Sequence, residues 1–110
     1  MMIKVENKRS CIDGEYIGRP TVLGNPYTHL KGNTKAQFIT PSRSDSVQAY
    51  RAYAREQYNT NTAFKNEVHR LAKLYAETGE LTLICWCAPL ECHGDVLARV
   101  IEFIAKRDYK

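Results

Sequence analysis

Apolar positions along the chain change rhythm from segment to segment. Ile3 and Val5 alternate with Lys4 and Glu6, the two-residue period of a short first strand over residues 3–8. Val47, Tyr50, Ala54 and Tyr58 recur at helical spacing behind Asp45, which reads as an N-cap with Gln48 as its capping-box partner. A helix over residues 45–58 is predicted. The stretch Asn59-Thr60-Asn61 ends it and caps the next. Phe64, Val68, Leu71 and Tyr75 form a clean apolar stripe, so a second helix is predicted over residues 62–78, closed by Gly79. Leu81 to Trp86 is apolar almost throughout, as expected for a strand covered on both faces. Val96, Leu97, Val100, Ile101 and Ile104 make the inner stripe of a last helix, and Lys106 and Arg107 near its end suit the helix dipole.

Breakers divide these segments. Asp13-Gly14 is a turn signal; if residues 10–17 continue as strand, it is the tip of a hairpin with the first strand. Residues 14–27 carry Gly14, Gly18, Gly24, Pro20 and Pro26, and read as an extended loop with fixed bends. Residues 28–44 are polar and rich in breakers, and read as a surface loop. A strand, a crossover containing helices and a second strand suggest a right-handed parallel unit. The expected fold is α/β: one small domain over residues 1–110, with a few-stranded, at least partly parallel sheet packed by about three helices.

Composition narrows the setting. The chain has 110 residues, 44% hydrophobic and 25% charged, enough for one modest core. No apolar run approaches the roughly 20 residues that span a bilayer, and the N-terminus lacks the apolar stretch of a signal peptide. A cytoplasmic protein without membrane contact is expected. The net charge of +4 is spread over scattered residues such as Lys8, Arg19, Arg43, Arg51 and Arg55. That favours weak attraction to phosphate-bearing partners, and no dedicated nucleic-acid partner is expected. In a cytoplasmic chain, four cysteines point to thiols or metal ligands before disulfides.

The candidate chemistry lies where the apolar strand runs into the last helix, around Cys85, Cys87, Cys92 and His93. These four donors could hold a tetrahedral zinc ion, although the spacing is not a standard zinc pattern. Alternatively Cys92, at a helix N-terminus, is a thiol of lowered pKa with His93 or Arg19 nearby and Cys87 to resolve it. A third reading is a pocket in which the helix N-terminus cradles an anionic ligand, His93 donates a hydrogen bond or moves a proton, Arg19 contacts the anion and Asn25 reads a polar edge. Plain packing competes with all three. Cys85 and Cys87 fit as small core residues, Trp86 as packing, His93 as a helix-start residue satisfied by Asp95 or Glu91, and Arg19 as the ion-pair partner of Glu15 or Asp95.

Two stretches carry a resemblance: Tyr16-Ile17-Gly18-Arg19-Pro20 with Leu23-Gly24-Asn25-Pro26-Tyr27, and the run from Cys85 through Cys92-His93-Gly94-Asp95 to Leu97. Together they resemble a family of small bacterial and phage proteins of unassigned function. The match covers about residues 14 to 105. The resemblance implies an α/β fold with both motifs close in space, and no known activity. Phage occurrence adds the alternative of a non-enzymatic protein that binds a host protein. Its expected signature is an exposed aromatic patch such as Tyr50, Tyr53 and Tyr58.

The leading expectation is a binding protein for a nucleotide-like or phosphorylated small molecule, with hydrolysis or group transfer as its chemistry if it is an enzyme. His93 and Cys92 are the catalytic candidates. Tyr16, Arg19, Thr21, Asn25, Cys87 and Asp95 are the ligand-binding candidates. No cofactor is expected; a zinc-stapled domain built on Cys85, Cys87, Cys92 and His93 is the second alternative.

Overall fold

The first strand, the apolar strand near residue 81 and the three long helices follow the rhythms of the sequence closely. The computed structural model describes residues 2–9, 13–19, 21–28, 38–39, 42–86 and 92–109. In chain order the elements are β1 (Met2–Asn7), β2 (Glu15–Tyr16), β3 (Tyr27–Thr28), β4 (Phe38–Ile39), α1 (Arg43–Thr60), α2 (Thr62–Thr78), β5 (Glu80–Cys85) and α3 (His93–Asp108). The fold is α/β, as expected, with three helices and a three-stranded parallel sheet among the described residues.

The sheet order is β1-β5-β2. β1 runs parallel to β5 from Met2 opposite Glu80 to Asn7 opposite Cys85, and β2 runs parallel to β5 on its other side, Glu15 opposite Leu83 and Tyr16 opposite Ile84. This corrects the hairpin expected at Asp13-Gly14. β1 and β2 never pair; β5, some seventy residues later, inserts between them. Turn chemistry at Asp13-Gly14 reports a local bend and carries no information on which strand lies alongside. A second, two-stranded parallel ladder joins β3 and β4, Tyr27 opposite Phe38 and Thr28 opposite Ile39, in segments the sequence marks as loop.

β5 alternates. Leu81, Leu83 and Cys85 enter the core with the helices, while Ile84, also buried, lies outside that cluster on the opposite face. The helices pack on the first face. α2 contributes Phe64, Val68, Leu71 and Tyr75, the stripe expected of it, and α3 contributes Val96, Leu97, Ile101 and Ile104. α1 buries Val47, Tyr50 and Ala54. Tyr50 is fully buried and Tyr53 and Tyr58 are half-buried, so the aromatic patch expected at these three positions is not on the surface.

Caps set the helix limits. α1 starts earlier than its apolar stripe suggests, because Ser42 and not Asp45 is the N-cap: Ser42 Oγ accepts the Asp45 N–H at 3.1 Å and donates to the Asp45 carboxylate at 2.9 Å. Asn61 ends α1 and caps α2 through the Phe64 N–H. Gly79 closes α2 in the left-handed region, φ 78°, which favours glycine.

Candidate functional site

Because the three strands are parallel, their carboxyl ends share one edge of the sheet, the edge at which open α/β folds place their ligands. The loop after β2 and the start of α3 meet there. Ile17 extends β2 by donating its N–H to the Ile84 carbonyl at 3.0 Å. Beyond it the chain makes two tight turns, with Thr21 N–H and Oγ1–H both donating to the Gly18 carbonyl and Gly24 N–H donating to the Thr21 carbonyl. The loop then anchors on α1. The Asn25 amide donates to Ser46 Oγ at 3.1 Å, and the Tyr50 hydroxyl donates to the Leu23 carbonyl at 2.7 Å. Burial, reinforced by Tyr53, raises the Tyr50 pKa well above the usual phenol value, so this donor stays protonated.

Arg19 and Tyr16 close the loop on itself. The Arg19 guanidinium donates to the Asn25 carbonyl, and the Tyr16 hydroxyl donates to the Arg19 carbonyl while accepting the indole N–H of Trp86. The Lys8 ammonium lies 4.2 Å from the Tyr16 ring centroid. Glu15, considered as a partner for Arg19, pairs with Arg70 of α2.

α3 starts at Cys92, whose Sγ accepts the Gly94 N–H at 3.3 Å; Asp95 reaches back to accept the Cys92 N–H at 3.1 Å. Asp95 thus completes a capping box, with cysteine in the place usually taken by serine or threonine. Gly94 is required by packing. A Cβ there would come within 2.8 Å of Val5 Cγ1 and 3.1 Å of Ile17 Cδ1, so this residue lets the first turn of α3 descend onto the sheet.

The two described cysteines are buried thiols outside any disulfide, with Cys85 Sγ 3.1 Å from Cys92 Sγ. The bond to Cys85 and the burial push the Cys92 thiol far above its ordinary pKa. This corrects the expectation of a lowered value. The helix-end N–H of Gly94 does favour the thiolate, but the low dielectric and the second sulfur outweigh it. Cys92 is therefore a thiol and a helix cap, not a thiolate nucleophile.

His93 is the buried imidazole of the site, 7% exposed. Its Nε2 lies 2.8 Å from the Ile17 carbonyl, which can only accept, so Nε2 carries the proton. The ring meets Tyr50 edge-on, centroids 5.0 Å apart. Burial, with the charge of Arg19 adding to it, lowers the His93 pKa below the usual 6.5 against the opposing pull of the Ile17 bond and Asp95. His93 is neutral at pH 7, and no described residue hydrogen-bonds Nδ1. A stability prediction follows by linkage. The unfolded chain takes up a proton near pH 6.5 that the folded chain refuses, so the contribution of His93 is full above that pH and falls as the pH drops below it. Urea midpoints at about pH 7.5 and about pH 5.5 should fall further for the wild type than for His93→Gln, across the usual imidazole range. Equal losses in the two proteins would refute the assignment.

The structure thus brings Tyr16, Arg19, Thr21, Asn25, Cys92, His93 and Asp95 to one end of the sheet, largely occupied with one another. Cys87 lies outside the described residues, so the four-donor zinc set is not described as a whole. Among the described residues no group of three or more His, Cys, Asp or Glu side chains could hold a metal. Sequence reasoning missed Ser46 and the carbonyls of Ile17 and Leu23, and gave the Tyr50 hydroxyl no hydrogen-bonding role. A backbone carbonyl has no sequence signal, and the Tyr50 hydroxyl looks like any other on a helical stripe. It also passed over a groove of about 590 Å³ beside the first turn of α3, with Arg51 and Arg99 on its rim. No described helix is long and apolar enough to cross a membrane.

A family model described as a domain of unknown function (DUF4326) matches residues 3–103. No curated protein matches, and no solved structure matches.

Proposed function

Because the chain belongs to the DUF4326 family, whose domains have no assigned function, it inherits no activity, and we propose that it binds a nucleotide-like or phosphorylated small molecule at the carboxyl end of its parallel sheet. The single observation that carries this reading is His93. A buried, neutral imidazole with its Nε2 proton held by Ile17 presents Nδ1 as the basic atom, at the edge where α/β proteins bind ligands. Arg19 brings positive charge to the same edge. If the protein is an enzyme, a hydrolysis or group transfer fits this arrangement: Nδ1 accepts the proton of the attacking water or hydroxyl, and the anionic group is oriented by arginine. A cytoplasmic setting suits it, since Cys85 and Cys92 are thiols and not a disulfide.

Equilibrium dialysis against adenosine monophosphate, adenosine triphosphate, ribose 5-phosphate and inorganic phosphate tests the reading. Saturable binding of at least one organic phosphate with Kd of about 1 mM or tighter is expected. Failure of all four to bind would overturn it. The host-protein alternative draws on Trp86 and Phe103, exposed by 53% and 62%. They are single side chains on separate elements, which is ordinary for a protein surface.

A further inference from the structure

The groove beside α3 is formed by β1, α1 and α3, opens to solvent and offers about 590 Å³, within the range of small-molecule sites. Ile3 and Val5 of β1, Val47 of α1 and Val96 of α3 give it an apolar floor, and Arg51 and Arg99 stand on its rim. Both arginines are exposed, and neither has a hydrogen bond or ion pair among the described residues. Asp95, four residues before Arg99 on α3, would be the natural helical partner. Its carboxylate is turned instead to the Cys92 N–H, where it completes the cap. The groove is left with two uncommitted guanidinium groups over an apolar floor, and its one carboxylate is engaged.

Guanidinium groups recognise phosphate through paired N–H donors, and two of them lining one groove match a dianion better than a single charge does. We infer that this groove holds the phosphorylated ligand, with Arg51 and Arg99 gripping the phosphate and the organic body lying over Val5, Val47 and Val96. The inference rests on the binding reading above for the class of ligand and goes beyond it in place, since the groove is lined by Asp95 of the His93 cluster but by neither His93 nor Arg19. The ligand meets two arginines that look, in sequence, like an ordinary solvated face.

Adenosine monophosphate, ribose 5-phosphate and adenosine are titrated into the ¹⁵N-labelled full chain. The two phosphates should shift the amides of Val5, Val47, Arg51, Val96 and Arg99 in a saturable way, and adenosine should bind far more weakly. Arg51→Gln and Arg99→Gln should each raise the Kd by about tenfold or more, as expected for loss of a charge-assisted contact. Lys73→Gln, on an exposed position of α2 outside the groove, should leave it unchanged. If the phosphates bind with shifts confined to residues 17–25 and His93, and both arginine variants bind as the wild type does, the groove assignment falls while the binding reading stands. If neither phosphate binds, both fall.

Discussion

Tyr50→Ala is expected to cost about 3–5 kcal/mol of folding stability, the usual loss for deleting a fully buried aromatic ring. Against a total of roughly 5–15 kcal/mol, that brings a small domain close to its unfolding threshold. The reason is position. Tyr50 is 0% exposed, stands edge-on to His93, lies 5.7 Å from Tyr53 by ring centroid, and holds the loop through the Leu23 carbonyl. Tyr50→Phe separates packing from tethering. It keeps the ring and strands only the Leu23 carbonyl, a loss of about 1–3 kcal/mol. Urea unfolding of both variants measures the two contributions. The alanine variant should also accelerate amide exchange at Gly24, whose N–H closes the second turn of the loop. A loss below about 1 kcal/mol for Tyr50→Ala would show that this ring does not organise the site.

Gly94→Ala is expected to destabilise by about 1–3 kcal/mol, although alanine is the better helix former by about 1 kcal/mol. The new methyl would sit 2.8 Å from Val5 Cγ1, 3.1 Å from Ile17 Cδ1 and 3.2 Å from Cys92 Sγ, contacts that force the first turn of α3 off the sheet. Lifting that turn lengthens the His93–Ile17 bond and admits water, so the His93 pKa should move back up toward its usual 6.5, because burial is the main cause of its depression. An NMR titration of the ring reads that shift. Val5→Ala removes the nearest atom, so the double variant Gly94→Ala with Val5→Ala should lose less than the sum of the two single losses. A stabilised Gly94→Ala protein with an unchanged His93 titration would mean that the close approach of α3 to β1 is unimportant.

Both predictions concern contacts that sequence reading reached only in part. The glycine of the Cys92-His93-Gly94-Asp95 run was visible, but its neighbours were not, since Val5 and Ile17 come from strands on opposite sides of β5. His93 was singled out from sequence, with carboxylates as its expected partners. The structure supplies a backbone carbonyl instead. Asn25 was expected to read a ligand edge; its amide is buried against Ser46. Arg19 was expected to contact an anion or a carboxylate, and its guanidinium donates to the Asn25 carbonyl. In each case the side chain lies at the carboxyl end of the sheet, and its partner is one the sequence does not name. Partners are chosen by proximity across tens of residues, and main-chain oxygens are as available as acidic side chains.

What the sequence determined by itself is what depends on neighbours a few residues away. The stripe Phe64, Val68, Leu71, Tyr75, the Asn61 cap, the Gly79 stop and the start of α3 at Cys92 all follow from helical period and terminal hydrogen bonding. The α/β class and the family of unknown function were legible in the sequence as well. The tertiary structure alone decided the strand order, because β5 reaches the space between β1 and β2 only after the two long helices have been laid down. It alone decided that Cys92 is a protonated cap, because its pKa is set by a sulfur 3.1 Å away and by burial. It alone set Arg51 and Arg99 on one groove, since two residues far apart on different helices share a rim only once those helices have packed.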